Sequence, residues 1–165
     1  TTEEDYMQVI IGKTAMLFEA ATEVGAILAN APKEHQEALR IYGHHLGIAF
    51  QLIDDVMDYL STAEEMGKNA GDDLAEGKPT LPLIQAMKVA TEDERQLIRQ
   101  TIRKGGLENL EPVLDIVKRS GAIEYTQKSA LQQADYAIEA LSSLPESSFK
   151  ETLELLAHIA VNRKA

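Results

Sequence analysis

The chain has 165 residues, of which 44% are hydrophobic and 26% charged, a balance typical of a globular domain with its own core. Its 16 Lys and Arg against 27 Asp and Glu give a formal net charge of −11, which argues against nucleic acid as a partner. The absence of cysteine excludes disulfide and thiol chemistry. No apolar run reaches the roughly 18 to 20 residues that a membrane span needs, and we expect a cytoplasmic protein.

The apolar positions recur with helical spacing, and no segment shows the sustained alternation of a half-buried strand. The sequence therefore predicts an all-α helical bundle. Its first helix is predicted to start at a capping box of Thr1 and Glu4 and to end before Pro32. Because the chain opens on Thr1 without an initiator Met and runs directly into this periodicity, we expect a piece of a longer protein.

A second helix is predicted from about Glu34 to Leu60, with one continuous apolar stripe. Gly43 and Gly47 lie one turn apart within it. Each Gly costs a helix interior about 1 kcal/mol relative to Ala. The pair therefore suggests a close approach to a neighbouring helix, with simple tolerance of the two glycines as the alternative.

Beyond this helix the pattern breaks into a polar loop over residues 61–80. Regular structure resumes around Leu81, in a helix predicted to be capped by Thr80 and to carry Pro82 in its first turn. A capping box of Thr91 and Glu94 starts the next helix, which is predicted to end at Gly105. Three further helices are predicted at about Leu110–Arg119, Ala122–Leu144 and Ser147–Asn162. The last four residues are expected to fray, with a cation supplied to a phosphate site as the alternative. We interpret residues 1–165 as one domain, with the loop as an insertion.

Three aspartates near the end of the second helix carry the strongest chemical signal. Asp54 and Asp58 are four residues apart and share a helix face, while Asp55 lies about 100° away. Like charges at this spacing repel, and the helix dipole disfavours anions near a C-terminus, so a positive ligand is expected. Oxygen donors of this kind suit Mg²⁺. A solvated acidic patch is the alternative on this motif alone.

The polar loop strengthens the magnesium interpretation. Its lysines and carboxylates, which include Lys68, Asp73 and Lys78, alternate among glycines. Glycines let a backbone approach a ligand closely, and lysines supply charges for phosphate oxygens. The loop is not a P-loop, because GxxxxGK[ST] is absent and its neighbours are helices. A flexible charged connection is the alternative.

Four segments together resemble the trans-polyprenyl diphosphate synthases, most closely the bacterial octaprenyl branch: the first matches the Lys-Thr element of an earlier helix, and the other three match the second aspartate-rich region. They are GKT at 12–14, FQLIDDVMDY at 50–59, GK at 67–68 and DDLAEGKPTLPLI at 72–84. The resemblance implies the C-terminal half of a helical bundle of the isoprenoid synthase type. It also implies a prenyltransferase that condenses isopentenyl diphosphate with an allylic diphosphate to a long-chain product, octaprenyl diphosphate, for quinone side chains.

The resemblance further implies roles for individual residues. Asp54, Asp55 and Asp58 would bind Mg²⁺ that bridges to a substrate diphosphate. Lys13 and Lys68 would contact the allylic diphosphate. The catalytic set would be Lys13 with two residues that face the carbocation, Thr14 and Gln51. Phe50 would line the substrate region, and weaker matches assign Lys78 to substrate and Asp73 to the same loop chemistry.

The family carries a first aspartate-rich motif that does not occur in this sequence, so the chain alone is expected to be inactive. The resemblance also implies a homodimer for the full-length protein and transient membrane contact through its lipophilic product. Two alternatives stay open. One is a non-catalytic partner subunit or helical binding module that retained the acidic face, although retention of the whole residue set argues against it. The other is a class I terpene cyclase, which would need an Asn, Ser and Glu metal motif absent at that spacing.

Overall fold

The computed structural model describes residues 1–60, 71–105 and 109–163. Every regular element in these ranges is helical, which confirms the all-α prediction. The helices are α1 (Glu3–Ile10), a π-helical segment (Ile11–Ala15), α2 (Met16–Leu28), α3 (Lys33–Leu60), α4 (Asp72–Ala75), α5 (Leu81–Val89), α6 (Glu92–Lys104), α7 (Leu110–Arg119), α8 (Ala122–Ala140), a 3₁₀ turn (Leu141–Ser143) and α9 (Ser148–Val161). Within these ranges no helix is both long and apolar enough to cross a bilayer.

The first helix is capped one residue later than predicted. Thr2 Oγ1 accepts the N–H of Asp5 at 3.1 Å, and Asp5 Oδ2 accepts the N–H of Thr2 at 2.9 Å. The Thr1 and Glu4 box was therefore wrong, because the run Thr-Thr-Glu-Glu-Asp offers the same pattern in two registers. The predicted end is confirmed, since Asn30 takes a left-handed φ of 52° after α2.

A π-helical segment interrupts this first helical stretch at Ile11–Ala15. The N–H of Met16 donates to the carbonyl of Ile11, five residues back, where an α-helix would use the carbonyl four residues back. Such single-turn bulges are found frequently at functional sites. This one holds Lys13 and Thr14, two of the residues predicted to act in catalysis.

The chain comprises two compact units. The first comprises residues 1–6 and 54–127, and the second comprises residues 7–53 and 128–163 among those described. The interpretation as a single domain stays a prediction.

In the second unit the glycines of α3 lie against other helices: a Cβ on Gly43 would lie 2.5 Å from the carbonyl oxygen of Phe18, and one on Gly47 would lie 2.6 Å from Cα of Ala15. The prediction of a close helix approach is thus confirmed.

The core of the first unit gathers around α4 to α7 and the last turns of α3. Its fully buried members include Tyr59, Leu74, Leu83, Ile98, Val113 and Val117. Leu74 belongs to α4, a short helix inside the segment predicted as a loop, so that prediction was wrong at Asp72–Ala75. One buried Leu in an otherwise polar run is too weak a periodic signal to predict a helix. Residues 61–70 of the predicted loop lie outside the described residues.

The remaining predicted boundaries are mostly confirmed. Thr91 and Glu94 form the expected capping box, and Gly105 ends α6. Thr80 precedes α5 with Pro82 in the first turn, as predicted. The prediction of a Thr80 side-chain cap was wrong, because its hydroxyl pairs with that of Tyr59 at 2.9 Å and caps no helix N–H. The expectation of a frayed C-terminus was wrong at Arg163, which packs on α3 of the second unit.

Candidate functional site

The three aspartates at the end of α3 have three different environments. Asp54 is exposed, Asp58 is half-buried, and Asp55 is only 2% exposed. The difference follows from helical geometry, since Asp55 shares its face with Leu52 and Tyr59, which are 1% and 0% exposed. Asp54 and Asp58, four residues apart, lie on a face that is open to solvent or half-open. The structure therefore brings two of the three predicted metal ligands to an accessible position.

Asp58 is held against the start of α4. Its carbonyl oxygen accepts the N–H of Gly71 at 2.8 Å, and its Oδ2 accepts the N–H of Asp73 at 3.3 Å. Burial raises the pKa of Asp58 to about 6, and the charges of Asp73 and Asp72 add to the rise while backbone N–H groups of the same two residues oppose it. Negative charge thus accumulates at this point, a situation that a bound cation relieves.

Asp55 accepts a short hydrogen bond from the phenol of Tyr6, and both side chains are buried. Burial, followed by the charge of Asp55, raises the pKa of Tyr6 well above its usual value, so the hydroxyl stays protonated and donates. Sequence reasoning missed Tyr6. A signal existed, because a Tyr in an apolar stripe needs a polar partner for its hydroxyl.

Lys78 and Asp73 form one ion-paired group in the first unit. Lys78 Nζ lies 2.9 Å from Asp73 Oδ1 and 2.5 Å from Glu76 Oε2, and the side chain remains 48% exposed. The hydrogen bonds that Lys78 donates to the carboxylates of Glu76 and Asp73 raise its pKa above the usual value. Lys68, the other loop lysine predicted to bind substrate, lies outside the described residues.

In the second unit the structure pairs Thr14 with Gln51. The Thr14 hydroxyl donates to Gln51 Oε1 at 2.9 Å. Lys13, the neighbour of Thr14 in the π-helical segment, is exposed. The structure therefore brings Thr14 of the Lys-Thr element next to Gln51, although the two are 37 positions apart in sequence.

Phe50, the next predicted residue, is packed between two side chains of the second unit. Its ring centroid lies 5.4 Å from that of Phe18, and the guanidinium carbon of Arg163 lies 4.2 Å from its ring centre. Arg163 Nη2 also donates to the carbonyl oxygen of Phe50 at 3.2 Å. The half-buried ring is thus held in a defined orientation next to Gln51.

The donor set at the end of α3 fits a hard divalent cation. Within residues 1–60, 71–105 and 109–163, no three His, Cys, Asp or Glu side chains form a metal-binding group. Mg²⁺ commonly takes only one or two protein carboxylates and fills its remaining positions with water and phosphate oxygens. Asp54 and Asp58 supply two carboxylates, and the neighbouring charges of Asp72 and Asp73 add to the negative charge around Asp58. The carboxylate of Asp55 is buried and accepts a hydrogen bond from Tyr6, and its role as a direct ligand stays a prediction.

A cavity of about 480 Å³ lies elsewhere in the first unit. Leu83, Ile84, Met87 and Ile102 line it, and none of the predicted site residues does. Its lining also includes the cations Lys88, Arg99 and Arg103, of which Lys88 pairs with Glu3 and Arg99 pairs with Glu92. We assign the candidate site to the end of α3 on chemistry rather than on cavity size.

The comparison with family models is decisive. Residues 1–118, which include every predicted site residue, match the model described as polyprenyl synthetase. The chain belongs to the polyprenyl synthetase family.

Individual relatives agree with this family assignment. The chain is 51% identical over 163 residues to an all-trans-nonaprenyl-diphosphate synthase (geranyl-diphosphate specific) of Rhodobacter capsulatus and 52% identical over 163 residues to an octaprenyl diphosphate synthase of Escherichia coli (strain K12). These alignments cover 99% and 98% of the chain but 50% of each relative. The chain therefore spans about half the length of the curated relatives it matches.

Solved structures of the family share the fold. A polyprenyl synthase from Caulobacter crescentus CB15, complexed with calcium and isoprenyl diphosphate, matches with a TM-score of 0.94 at 41% identity. The match covers 100% of this chain and 51% of that one. A heptaprenyl diphosphate synthase from Staphylococcus aureus matches with a TM-score of 0.93 at 33% identity, over 100% of this chain and 52% of that one. The predicted isoprenoid synthase fold is confirmed.

Proposed function

We propose that this chain carries the second-aspartate-motif half of a trans-prenyltransferase that elongates an allylic diphosphate with isopentenyl diphosphate. The observation that supports it most is the pair of accessible aspartates, Asp54 and Asp58, at an acidic helix end in a member of this family. In the reaction the allylic carbon–oxygen bond breaks, and its electron pair leaves with the diphosphate. The double bond of isopentenyl diphosphate supplies the electrons for the new carbon–carbon bond, and a proton is lost.

The metal is proposed to be a divalent cation, Mg²⁺ in preference to Ca²⁺, held by Asp54 and Asp58 with phosphate oxygens. Bound there, it supplies Lewis-acid stabilisation of the charge that develops on the departing diphosphate. The calcium in the Caulobacter crescentus structure belongs to that protein, and it supports a divalent site here. Lys78, which lies in the same unit as Asp54 and Asp58, adds a positive charge on a side chain that is 48% exposed. Asp73 and Glu76 already neutralise part of this charge.

In the second unit we propose that Lys13 contacts diphosphate oxygens and that the Thr14–Gln51 pair faces the developing carbocation. The exposed position of Lys13 suits a flexible point charge. The hydrogen bond fixes the Gln51 amide, so its oxygen dipole has a set direction before reaction. Phe50, the neighbour of Gln51, offers an aromatic face, and such a face stabilises a nearby cation.

The product is proposed to be a long-chain polyprenyl diphosphate for quinone side chains. The two relatives named above differ in product length at almost the same identity, so they support the long-chain class rather than one length. The full-length protein is proposed to be a cytoplasmic homodimer, with transient membrane contact through its lipophilic product. The non-catalytic subunit, the helical binding module and the terpene cyclase have no specific observation in their favour.

The test is product formation. The chain, joined to a polypeptide that supplies the remaining half of the family's length, is incubated with radiolabelled isopentenyl diphosphate, an allylic diphosphate and Mg²⁺. We expect incorporation of label into an apolar polyprenyl product. The Asp54→Asn variant should lose it, while Asp115→Asn, which changes an exposed carboxylate of α7, should retain it. If the joined wild-type protein is folded and forms no product, the proposed function is contradicted.

A further inference from the structure

The first two turns of α1 connect three other helices of the first unit. Glu3 and Tyr6 are three residues apart and therefore share one face of α1. Glu3 accepts hydrogen bonds from Gln85 at 2.7 Å, from Lys88 at 2.9 Å and from Tyr125 at 2.8 Å. These contacts tie the start of α1 to α5 and α8. One turn later, Tyr6 donates to Asp55 of α3.

The hydrogen bond between Tyr6 and Asp55 joins two buried side chains. Tyr6 is 5% exposed and Asp55 is 2% exposed. A buried carboxylate is costly unless donors satisfy it, and the phenol of Tyr6 supplies a buried donor to Asp55. The bond therefore ties the turn of α3 that carries Asp55 to α1. Asp54 precedes Asp55 directly, and Asp58 follows it within one turn.

We propose that Tyr6 is a positioning residue for the metal site, which acts through Asp55 to hold Asp54 and Asp58 in the orientation that binds the cation. Asp55 is then an anchor inside the motif and not a direct ligand. The inference rests on the proposed function, because it presumes that Asp54 and Asp58 bind a divalent cation. Partners that orient metal ligands in this way typically change metal affinity by about 10- to 100-fold when they are removed.

The decisive experiment measures Mn²⁺ affinity by electron paramagnetic resonance, in the presence of inorganic pyrophosphate, for the wild type and for Tyr6→Phe. The substitution removes only the donor hydroxyl. The matched control is Tyr42→Phe, which removes another buried phenol, one that donates to the carbonyl of Leu153 at 2.8 Å in the second unit. We expect Tyr6→Phe to weaken Mn²⁺ binding about 10-fold or more. Tyr42→Phe should bind as the wild type does.

A double-mutant cycle shows whether Tyr6 acts through Asp55. In the Asp55→Leu background the acceptor is gone, so adding Tyr6→Phe should cause no further loss of affinity. Far-UV circular dichroism of each variant confirms that it is folded. Multiplicative losses in the double variant would contradict the inference, as would equal losses in Tyr6→Phe and Tyr42→Phe.

The outcomes also separate this inference from the proposed function. Wild-type Mn²⁺ binding that Tyr6→Phe leaves unchanged overturns the positioning role alone. Absence of Mn²⁺ binding by the wild type overturns the proposed metal site, and the positioning role falls with it. Where Tyr6→Phe fails to fold, Asp55→Asn replaces it, because the amide oxygen still accepts the phenol. That variant should keep more affinity than Asp54→Asn, and equal losses would overturn the inference.

Discussion

The hydroxyl of Thr14 donates to Oε1 of Gln51 at 2.9 Å and so joins the π-helical segment to α3 within the second unit. Thr14→Val removes the bond with little change of shape. Because the pair is half-buried, we expect the free energy of unfolding to fall by about 1 kcal/mol in urea titrations. Thr152→Val is the control: its hydroxyl is exposed and bonds only its own helix, so it should change stability by less than about 0.5 kcal/mol. Equal changes would contradict a specific role for this bond.

The close approach of the π-helical segment to α3 depends on Gly47. Gly47→Ala would place a methyl group 2.6 Å from Cα of Ala15, a backbone atom that cannot move aside cheaply. We expect a loss of about 1–3 kcal/mol from overpacking, measured by chemical unfolding. Gly25→Ala, within α2, meets nothing within 4 Å and should instead raise stability by up to about 1 kcal/mol. Opposite signs for two identical substitutions make a stringent test, and a stabilising Gly47→Ala would contradict the packing.

The carboxylate of Glu3 should contribute stability that depends on pH. Burial alone would raise the pKa of Glu3, but hydrogen bonds from Lys88, Tyr125 and Gln85 outweigh it and hold the pKa below the usual value of 4.5. The contribution is therefore present above about pH 4.5 and is lost as the pH falls through the lower pKa of the folded state. Glu3→Gln should cost less than about 1 kcal/mol near neutral pH, because the side chain is 32% exposed.

Urea unfolding of wild type and Glu3→Gln over an acid pH series tests this dependence. The stability difference between the two should shrink as the pH falls below the usual Glu range. Glu4→Gln, an exposed neighbour in the same first turn, controls for the charge at the helix N-terminus. A difference that grows on acidification would contradict the sign of the pKa shift.

Arg163 should stabilise the environment of Phe50. Arg163→Ala removes both the stacked guanidinium and the hydrogen bond to the Phe50 carbonyl, and we expect a loss of about 1 kcal/mol. Arg163→Lys should recover only part of it, since an ammonium lacks the planar stack. The chain has no Trp, so Phe50→Trp gives a single fluorescent reporter at this point. Its acrylamide quenching should increase when Arg163→Ala is added, and unchanged quenching would contradict the contact.

Much of the fold could be predicted because helix boundaries are encoded locally. The capping box of Thr91 and Glu94 lies within four residues of sequence, and the structure forms it as predicted. The π-helical segment could not be predicted in this way. Its hydrogen-bond register differs from that of an α-helix by one residue, and the packing of Ala15 against Gly47 is a contact between residues distant in sequence.

The candidate site was predicted in composition but not in geometry. The motif presents three aspartates as equals, whereas the structure separates buried Asp55 from Asp54 and Asp58. The helical face that Asp55 shares with Tyr59 was the available signal for burial. Its donor, Tyr6, is 49 positions away and could be identified only once the helices were packed.

The most direct test of the central claim, that the acidic end of α3 binds diphosphate through a divalent cation, is calorimetric titration of this chain with inorganic pyrophosphate in the presence and absence of Mg²⁺. We expect binding only with Mg²⁺, weakened about 10-fold or more in Asp54→Asn and in Asp58→Asn and unchanged in Asp115→Asn. Binding that does not depend on Mg²⁺, or that Asp54→Asn leaves at wild-type strength, would contradict the account.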